Sequence, residues 1–249
     1  MQRSVPWHAG ELLAFDLETT GIDCFFDVPV SFAFVRMVEG SVASLESSLV
    51  NPGRPIPSPA TAVHGITDER ARREGMAVQD AVAHVTEALV DASHRGVPVV
   101  GMKLDFDLTM IDTCLRRQSG MGLTDAGFVG PVLDVLVLDR HFDRYRCGRR
   151  TLGDLCRHYG VSIKHAHDAV ADATATLEVA AAMCRRFPEL CAALPEDLHW
   201  SQMDWHREWC DSFSQWCRRK GVAGLEPCDR AWPIARSAAD RTELAQVAG

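Results

Sequence analysis

Long apolar runs and paired cysteines are both missing from this sequence. No apolar run reaches the roughly 18 residues that a membrane-spanning helix needs, and the opening segment MQRSVPWHAGE lacks the apolar core of a signal peptide. The nine cysteines are scattered, odd in number and form no CxxC pair, which argues against a zinc site or a redox motif. We therefore expect a cytoplasmic protein.

Basic charge is also scarce, since 34 acidic residues against 26 Lys and Arg give a net charge of −8. This balance argues against a protein that coats nucleic acid, but it is compatible with an enzyme that grips a short piece of it. One segment is an exception, because residues 140–150 (RHFDRYRCGRR) contain five arginines. This local run indicates either a strand-binding edge or a solvated helix face followed by a loop.

The order of apolar segments predicts an α/β protein. Strands are expected at 12–15, 28–37, 40–50, 97–100 and within 131–142, with Glu39-Gly40 as the turn between the second and third. Helices are expected at 78–92, 105–118, 152–159 and 168–186, and the Pro-rich stretch 51–67 is expected to be an ordered loop. A three-strand antiparallel meander followed by alternating strands and helices predicts a mixed sheet flanked by helices.

The C-terminal quarter differs from the rest in composition. We expect a core domain over 1–187, a Trp-rich helical extension over 188–224 and a flexible tail over 225–249. Within the extension, an amphipathic helix places Trp205, Trp209, Phe213 and Trp216 on one stripe. The stripe indicates a helix that docks on the core or on a partner, and base stacking on the tryptophans is the alternative.

Two acids directly follow the first predicted strand. Asp16 and Glu18 are two residues apart, and this spacing puts both side chains on one face of an extended chain. Neighbouring carboxylates repel unless a cation bridges them or one of them keeps its proton. The end of a central strand is the usual position of sites in α/β proteins, so the pair indicates a divalent metal, although a solvated strand end is the simpler alternative.

A second pair of acids, Asp105 and Asp107, opens the helix predicted at 105–118. Asp107 falls on the apolar, inward face, whereas Asp105 falls on the polar face with Thr109, Asp112 and Arg116. We expect Asp107 to need a cation from elsewhere in the fold. Asp105 is expected to face water and to favour the unsatisfied amides at the helix start.

A third segment, HAHDAVADATA, repeats this arrangement. Asp172 shares a helix face with small and apolar residues, and Asp168 is expected in the first turn. His167 precedes the helix; it is either a surface residue or the base that deprotonates a water. The inward acids, Asp16, Glu18, Asp107 and Asp172, are enough to hold two hard cations, which in phosphoryl transfer stabilise the attacking and leaving oxygens.

Together, FDLETTG, the FD of KLDFD and HDAVAD resemble the DEDDh class of 3′–5′ exonucleases, which includes the epsilon proofreading subunit of bacterial DNA polymerase III and ribonuclease T. The stretch VNPGRPIPSPATAVHGITDE adds to the likeness, which covers roughly residues 10–187. The resemblance implies a ribonuclease H-like fold, two Mg²⁺ or Mn²⁺ ions, and release of nucleoside 5′-monophosphates from a free 3′ end.

The resemblance also implies roles for individual residues. The metal-binding acids would be Asp16, Glu18, Asp107 and Asp172, with His167 as the general base. The substrate would lie near two groups of residues, the backbone of Thr19, Thr20 and Gly21 and the pocket of His64, Gly65 and Ile66. Lys103 stands where the family often has the Asn of a His-Asn pair, and it could reach a phosphate instead.

Several alternatives remain at the level of sequence. DNA is the favoured substrate over RNA, and an RNA-trimming exonuclease is the closest alternative. A DNA polymerase, as in a proofreading subunit, or a second copy of the chain could bind through the Trp-rich helix. A non-catalytic binding module on the same fold ranks last, because all four acids and the histidine are present.

Overall fold

A six-stranded mixed sheet with the order β4-β3-β2-β1-β5-β6 forms the centre of the computed structural model, which describes residues 6–163, 168–222 and 229–236. Strand β2 is antiparallel to both β1 and β3, which confirms the predicted meander, and β1 with β5, β5 with β6, and β3 with β4 are parallel. The strands are β1 (Glu11–Thr19), β2 (Pro29–Val38), β3 (Ser41–Asn51), β4 (Met76–Ala77), β5 (Val99–Gly101) and β6 (Val132–Asp134).

Helices cover both faces of this sheet. They are α1 (Ser58–His64), α2 (Asp68–Glu74), α3 (Val78–His94), α4 (Leu104–Ser119), α5 (Val135–Phe142), α6 (Leu152–Tyr159), α7 (Ala169–Arg186), α8 (Pro188–Ala192) and α9 (Pro195–Lys220). Their ends follow local chemistry: Thr67 accepts a hydrogen bond from the Arg70 amide at the start of α2, and Gly160, with φ of 73°, ends α6.

The loop predicted over 51–67 is wrong in part, because it contains the short helix α1. Pro59 lies in the first turn, where its missing N–H costs nothing, and Gly65 ends the helix in the left-handed conformation. The turn signals of this Pro-rich segment therefore mark the two ends of a helix, which periodicity over seven residues does not reveal.

The alternation of side chains along β1 divides the core in two. Phe15 and Leu17 pack on one face of the sheet with α3 and α4, while Leu12 and Ala14 pack on the other face with α6 and α7. Nearly every residue of β2 is buried because both layers of helices cover it. Two apolar layers thus hold β1 and β2 in place, and they support the end of β1, where Asp16 and Glu18 lie.

Strand β6 lies at the edge of the sheet, and a glutamine side chain from α9 completes its hydrogen bonding. The Gln202 amide donates to the Val132 carbonyl at 2.8 Å and accepts from the Asp134 N–H at 2.8 Å. The Gln202 side chain therefore takes the place of a further strand next to β6. In this way it protects a sheet edge that could otherwise pair with another chain. The first half of α9 docks on the core, but mainly through a face other than the tryptophan stripe. Its buried residues are Leu198, His199, Gln202, His206 and Cys210.

Part of the predicted flexible tail packs on the domain. Trp232 is 3% exposed, and the Ala235 N–H donates to the hydroxyl of Thr109 at 2.8 Å. This segment and the neighbouring loop cover the face of α4 that was expected to be wet, so that Thr109 and Asp112 are buried. The prediction of a water-facing surface there is wrong because segments distant in the sequence cover the polar face. Within the described residues, no helix is both long and apolar enough to cross a membrane.

Candidate active site

Three acids from two elements meet on the α7 face of the sheet. Asp16 and Glu18 alternate with Phe15 and Leu17, so they point to the opposite side, where α7 packs on β1. Asp172 lies in the first turn of α7. One oxygen from each of the three carboxylates can be chosen so that all lie within 4.8 Å of one another, and all three residues are partly buried.

Asp107 reaches the same strand from its open edge. Strand β5 pairs with β1 only at Leu13 and Ala14, and the chain then turns into α4. Beyond that point, Oδ1 of Asp107 accepts a hydrogen bond from the Leu17 N–H at 3.1 Å. The carboxylate therefore lies between Asp16 and Glu18 along the strand, although it does not belong to the cluster of three. It is 5% exposed, as its position on the inward face of the helix predicts.

The electrostatics of these four acids favour a bound cation. Burial, with added repulsion from Asp107 and Asp172, raises the pKa of Asp16 well above its usual range. Burial and the carboxylates of Asp172 and Asp168 raise the pKa of Glu18 to about 8. Burial and Asp105 raise the pKa of Asp107, which the Leu17 hydrogen bond opposes. Carboxylate oxygens in a repelling group are ligands that hard divalent cations prefer.

Asp134, which is not among the residues predicted from the sequence, supports the second acidic segment, Asp105 and Asp107. Its two carboxylate oxygens accept from the N–H groups of Lys103 and Leu104 at 3.0 and 2.9 Å, and one also caps α5 at Leu136. Burial, with repulsion from Asp105, raises its pKa to about 6. An acid at the end of a buried strand, the pattern that identified Asp16, was also present in VLD and could have found it.

Lys103 occupies a strained position in the backbone. It has φ of 61°, in the left-handed region, and it precedes the first residue of α4. Its ammonium group lies 5.1 Å from the centre of the Phe106 ring. Asn tolerates this conformation better than Lys does, which gives a conformational reason for an Asn at this position.

The predicted substrate residues fall into two groups. His64 and Ile66 line a cavity of about 420 Å³ together with Glu18 and Asp168, so the Pro-rich segment does reach the acidic cluster. Arg70, which is not among the residues predicted from the sequence, also lines this cavity. Gly65 has φ of 72° and supplies the turn that follows α1.

The other group, Thr19, Thr20 and Gly21, begins an ordered loop. The Thr20 hydroxyl donates to Asp27 at 2.8 Å, and the Thr19 hydroxyl donates to the Gly21 carbonyl at 2.7 Å. A Cβ atom at Gly21 would lie 2.5 Å from the Asp27 carboxylate. These side chains therefore shape the loop, and their backbone is what could face a substrate.

His167, the predicted base, lies outside the described residues, in the gap 164–167. The adjacent Asp168 is described, and its side chain accepts from the Ala171 N–H at 3.1 Å and caps α7. It thus has the role at the helix start that the sequence predicts. The cap fixes the first turn of α7, from which Asp172 reaches the cluster.

Comparison with known proteins gives the family. A family model described as Exonuclease (RNase_T) matches residues 13–180, which contain all four acids. The chain belongs to this exonuclease family. Among curated relatives, a DNA polymerase III PolC-type of Lacticaseibacillus paracasei is 31% identical over 168 residues, covering 68% of this chain. A DNA polymerase III subunit epsilon-like protein of Rhodobacter capsulatus is 35% identical over 185 residues, covering 72% of this chain.

This exonuclease-family chain spans only 11% and 24% of the lengths of those two relatives. Its fold is similar to solved structures of exonuclease I, one with a TM-score of 0.62 at 22% identity, covering 73% of this chain and 42% of that one. An E. coli exonuclease I in complex with a dA16 oligonucleotide has a TM-score of 0.62 at 21% identity, covering 80% of this chain and 44% of that one. The predicted ribonuclease H-like fold and family are confirmed.

Proposed function

We propose that this chain is a metal-dependent 3′–5′ exonuclease that hydrolyses the terminal phosphodiester of single-stranded or frayed DNA and releases nucleoside 5′-monophosphates. The observation that carries the proposal is the group of Asp16, Glu18 and Asp172 with Asp107 beside it, at the end of the central strand. Membership of the exonuclease family supports the reaction class. The complex of an exonuclease I with an oligonucleotide supports a single strand as the substrate.

The four carboxylates fit two divalent cations, Mg²⁺ or Mn²⁺. The raised pKa values of Asp16, Glu18 and Asp107 support a bound cation, because buried carboxylates that repel one another are stabilised by opposite charge. When bound, such cations lower the pKa of water and stabilise charge on phosphodiester oxygens. Asp107 is held in place by the Leu17 amide, and Asp172 by the capped first turn of α7, so the donors are fixed before a substrate arrives.

The remaining roles follow from position. His167, five residues before Asp172, is proposed as the base that takes a proton from the attacking water. The cavity beside Glu18, lined by His64 and Ile66, is proposed to hold the terminal nucleoside. The backbone of Thr19, Thr20 and Gly21 is proposed to contact the terminal nucleotide from the other side of Glu18. Lys103 is exposed and directly precedes the helix that carries Asp105 and Asp107, and its side chain is proposed to bind a phosphate of the substrate.

The test is a hydrolysis assay with single-stranded DNA and RNA labelled at the 3′ or the 5′ end, with Mg²⁺, Mn²⁺ or EDTA. We expect mononucleotides from the 3′ end only, no product in EDTA, and faster hydrolysis of DNA than of RNA. Internal cuts, or full activity in EDTA, would refute the mechanism. Faster hydrolysis of RNA would favour the alternative of an RNA-trimming exonuclease.

A second candidate is a proofreading role in association with a DNA polymerase in the cytoplasm. The observation that favours it is the pair of relatives described as DNA polymerase III PolC-type and DNA polymerase III subunit epsilon-like protein. Co-purification of the tagged full chain with a polymerase would support this role. A homodimer partner, in contrast, would be detected by sedimentation of the purified chain alone.

A further inference from the structure

The five arginines of residues 140–150 do not act as one surface. Arg146 and Arg150 both pair with Asp139, which is fully buried, and Arg150 also donates to the Asp143 carbonyl at 2.9 Å. These two arginines hold the turn between α5 and α6. The structure therefore assigns them to the fold, and the sequence alternatives of a strand-binding edge and a solvated face apply to the other arginines.

Arg140 and Arg144 line a groove of about 290 Å³ between α5 and α9, the α5–α9 groove, which Arg150 also borders. Its opposite wall, on α9, is formed by five residues, of which one is acidic: Trp205, His206, Glu208, Trp209 and Ser212. The Arg140 guanidinium lies 3.4 Å from the centre of the Trp209 ring, and the His141 ring stacks on Trp205 at 3.7 Å. The exposed side chain of Arg144 makes no ion pair within the described part of the chain. Arginine and tryptophan together are the residues that recognise phosphate and base.

Aromatic rings continue from the groove along α9. Trp209 stacks on Phe213 at 5.0 Å and 8°, and Phe213 on Trp216 at 6.1 Å and 15°. We call these three residues the aromatic ladder. In the described structure no residue of α9 after Cys210 is buried, and Trp216 is 44% exposed. The ladder thus contributes nothing to the core, and three cations, Arg218, Arg219 and Lys220, follow it.

The groove lies on the helix that follows Asp134, the residue that supports the second acidic segment. The Lys103 and Leu104 amides donate to Asp134, the residue that caps α5, and Arg140 follows Asp134 by roughly 9 Å of helix. The groove lining starts at Val137, three residues after Asp134. Trp209 belongs both to the groove lining and to the aromatic ladder, so the groove and the ladder form one surface.

We propose that the α5–α9 groove and the end of the aromatic ladder bind the single strand on the 5′ side of the hydrolysed bond, with phosphate on Arg144 and Arg140 and a base stacked on the exposed ring of Trp216. This inference rests on the proposed function, since it assumes that the 3′ end lies at the acids. From Trp205 to Trp216 the helix rises roughly 16 Å, which about five nucleotides of a single strand would span. The negative charge of a single strand complements the cations of this surface, which are Arg140 and Arg144 in the groove and Arg218, Arg219 and Lys220 after the ladder. The chain as a whole has a net charge of −8.

The variants Arg144→Gln and Trp216→Ala test this proposal, because both side chains are exposed and neither supports the core. The matched controls are Arg157→Gln on α6, whose side chain is 79% exposed, and Trp200→Ala, a tryptophan of α9 that is 64% exposed and lies outside the ladder. Each variant is assayed on two substrates. One is an oligodeoxythymidylate of about twelve nucleotides, and the other is the p-nitrophenyl ester of thymidine 5′-monophosphate, which reaches only the acidic site.

We expect Arg144→Gln and Trp216→Ala to raise KM for the oligonucleotide about 5- to 100-fold and to leave hydrolysis of the small ester unchanged. The controls should match the wild type on both substrates. The slope of log KM against log salt should fall by about 0.7 for Arg144→Gln, as expected when one phosphate contact is lost, and stay unchanged for Trp216→Ala.

Equal effects on both substrates, or no effect on either, would overturn the proposal. Quenching of tryptophan fluorescence by hexa-aspartate but not by the oligonucleotide would overturn it as well, and would assign the groove to an acidic protein segment. A wild type that hydrolyses neither substrate would instead refute the proposed function. The two failures are therefore distinguishable.

Discussion

The Oδ1 atom of Asp107 accepts a hydrogen bond from the Leu17 amide where strand β5 has ended. A side chain from α4 thus takes the place of a strand at the edge of β1, and it brings a fourth carboxylate beside Asp16 and Glu18. The geometry follows from a short β5: a strand two or three residues longer would occupy that edge and leave no room for the acid.

This relationship separates the two acids of the second segment. We expect Asp107→Ala to reduce hydrolysis by more than about 100-fold, since even the partners of metal ligands are often worth that much. Asp105→Ala should retain most of the activity, because the hydrogen bond to strand β1 is made by Asp107, while the cations Lys103, His206 and Arg140 act on the carboxylate of Asp105. Steady-state rates on a labelled oligonucleotide measure both. Equal loss in the two variants would contradict the assignment.

Metal removal should make stability depend on pH. Glu18 has a pKa of about 8 in the folded chain against an ordinary value of 4.5. A raised pKa contributes stability that is fully present below the unfolded value and is lost as pH rises through the folded value. In EDTA, Tm should therefore fall as pH rises from about 5 to about 8. Mg²⁺ should raise Tm more at the upper end of that range. Circular dichroism measures Tm in EDTA and in Mg²⁺ across this pH range. An increase in Tm with Mg²⁺ that is the same at every pH would argue against this account.

Among the described residues other than glycine, two have a positive φ angle, Glu39 at 52° and Lys103 at 61°. Asn adopts this conformation more readily, so Glu39→Asn and Lys103→Asn should each stabilise the fold by up to about 1 kcal/mol. Urea unfolding measures both changes. Glu39 lies in the β2–β3 turn far from the acids, so Glu39→Asn should leave activity unchanged and serves as the control. Lower stability in both variants would contradict the conformational explanation.

Gln202 should contribute to stability through strand β6. Its truncation to Ala leaves the Val132 carbonyl and the Asp134 amide without their partner, at a cost of about 1–3 kcal/mol. Gln215→Ala is the matched control on the exposed part of the same helix and should change stability by less than about 0.5 kcal/mol. Chemical denaturation compares the two, and an equal effect would mean that the edge of β6 does not need its side-chain partner.

Trp232 should anchor the C-terminal segment. Because the side chain is almost fully buried, Trp232→Ala should cost about 3–5 kcal/mol. Trp200→Ala, at an exposed position, should cost far less. Proteolysis after residue 222 should be faster in Trp232→Ala than in the wild type. Identical cleavage patterns would show that Trp232 does not hold the segment on the domain.

Local patterns were enough for most of the elements and for the acids. Alternation along β1 predicted that Asp16 and Glu18 share a face, and helix phase predicted that Asp107 is inward. The two-residue strand β4 and the short helix α1 were missed, because such short elements carry almost no periodicity. The wet face of α4 was predicted wrongly for a different reason, since Thr109 is covered by residue Ala235 from the far end of the chain.

Strand and helix periodicity are local properties, so the separate segments of the chain reveal which chemistry is available: four acids, a histidine and a family pattern that orders them. How these groups meet depends on contacts between distant segments. The early end of β5 brings Asp107 to Leu17, Asp134 holds the amides of Lys103 and Leu104, Gln202 holds the edge of β6, and α9 forms one wall of the groove that Arg140 and Arg144 line. These contacts join residues far apart in the chain, and no local pattern contains them.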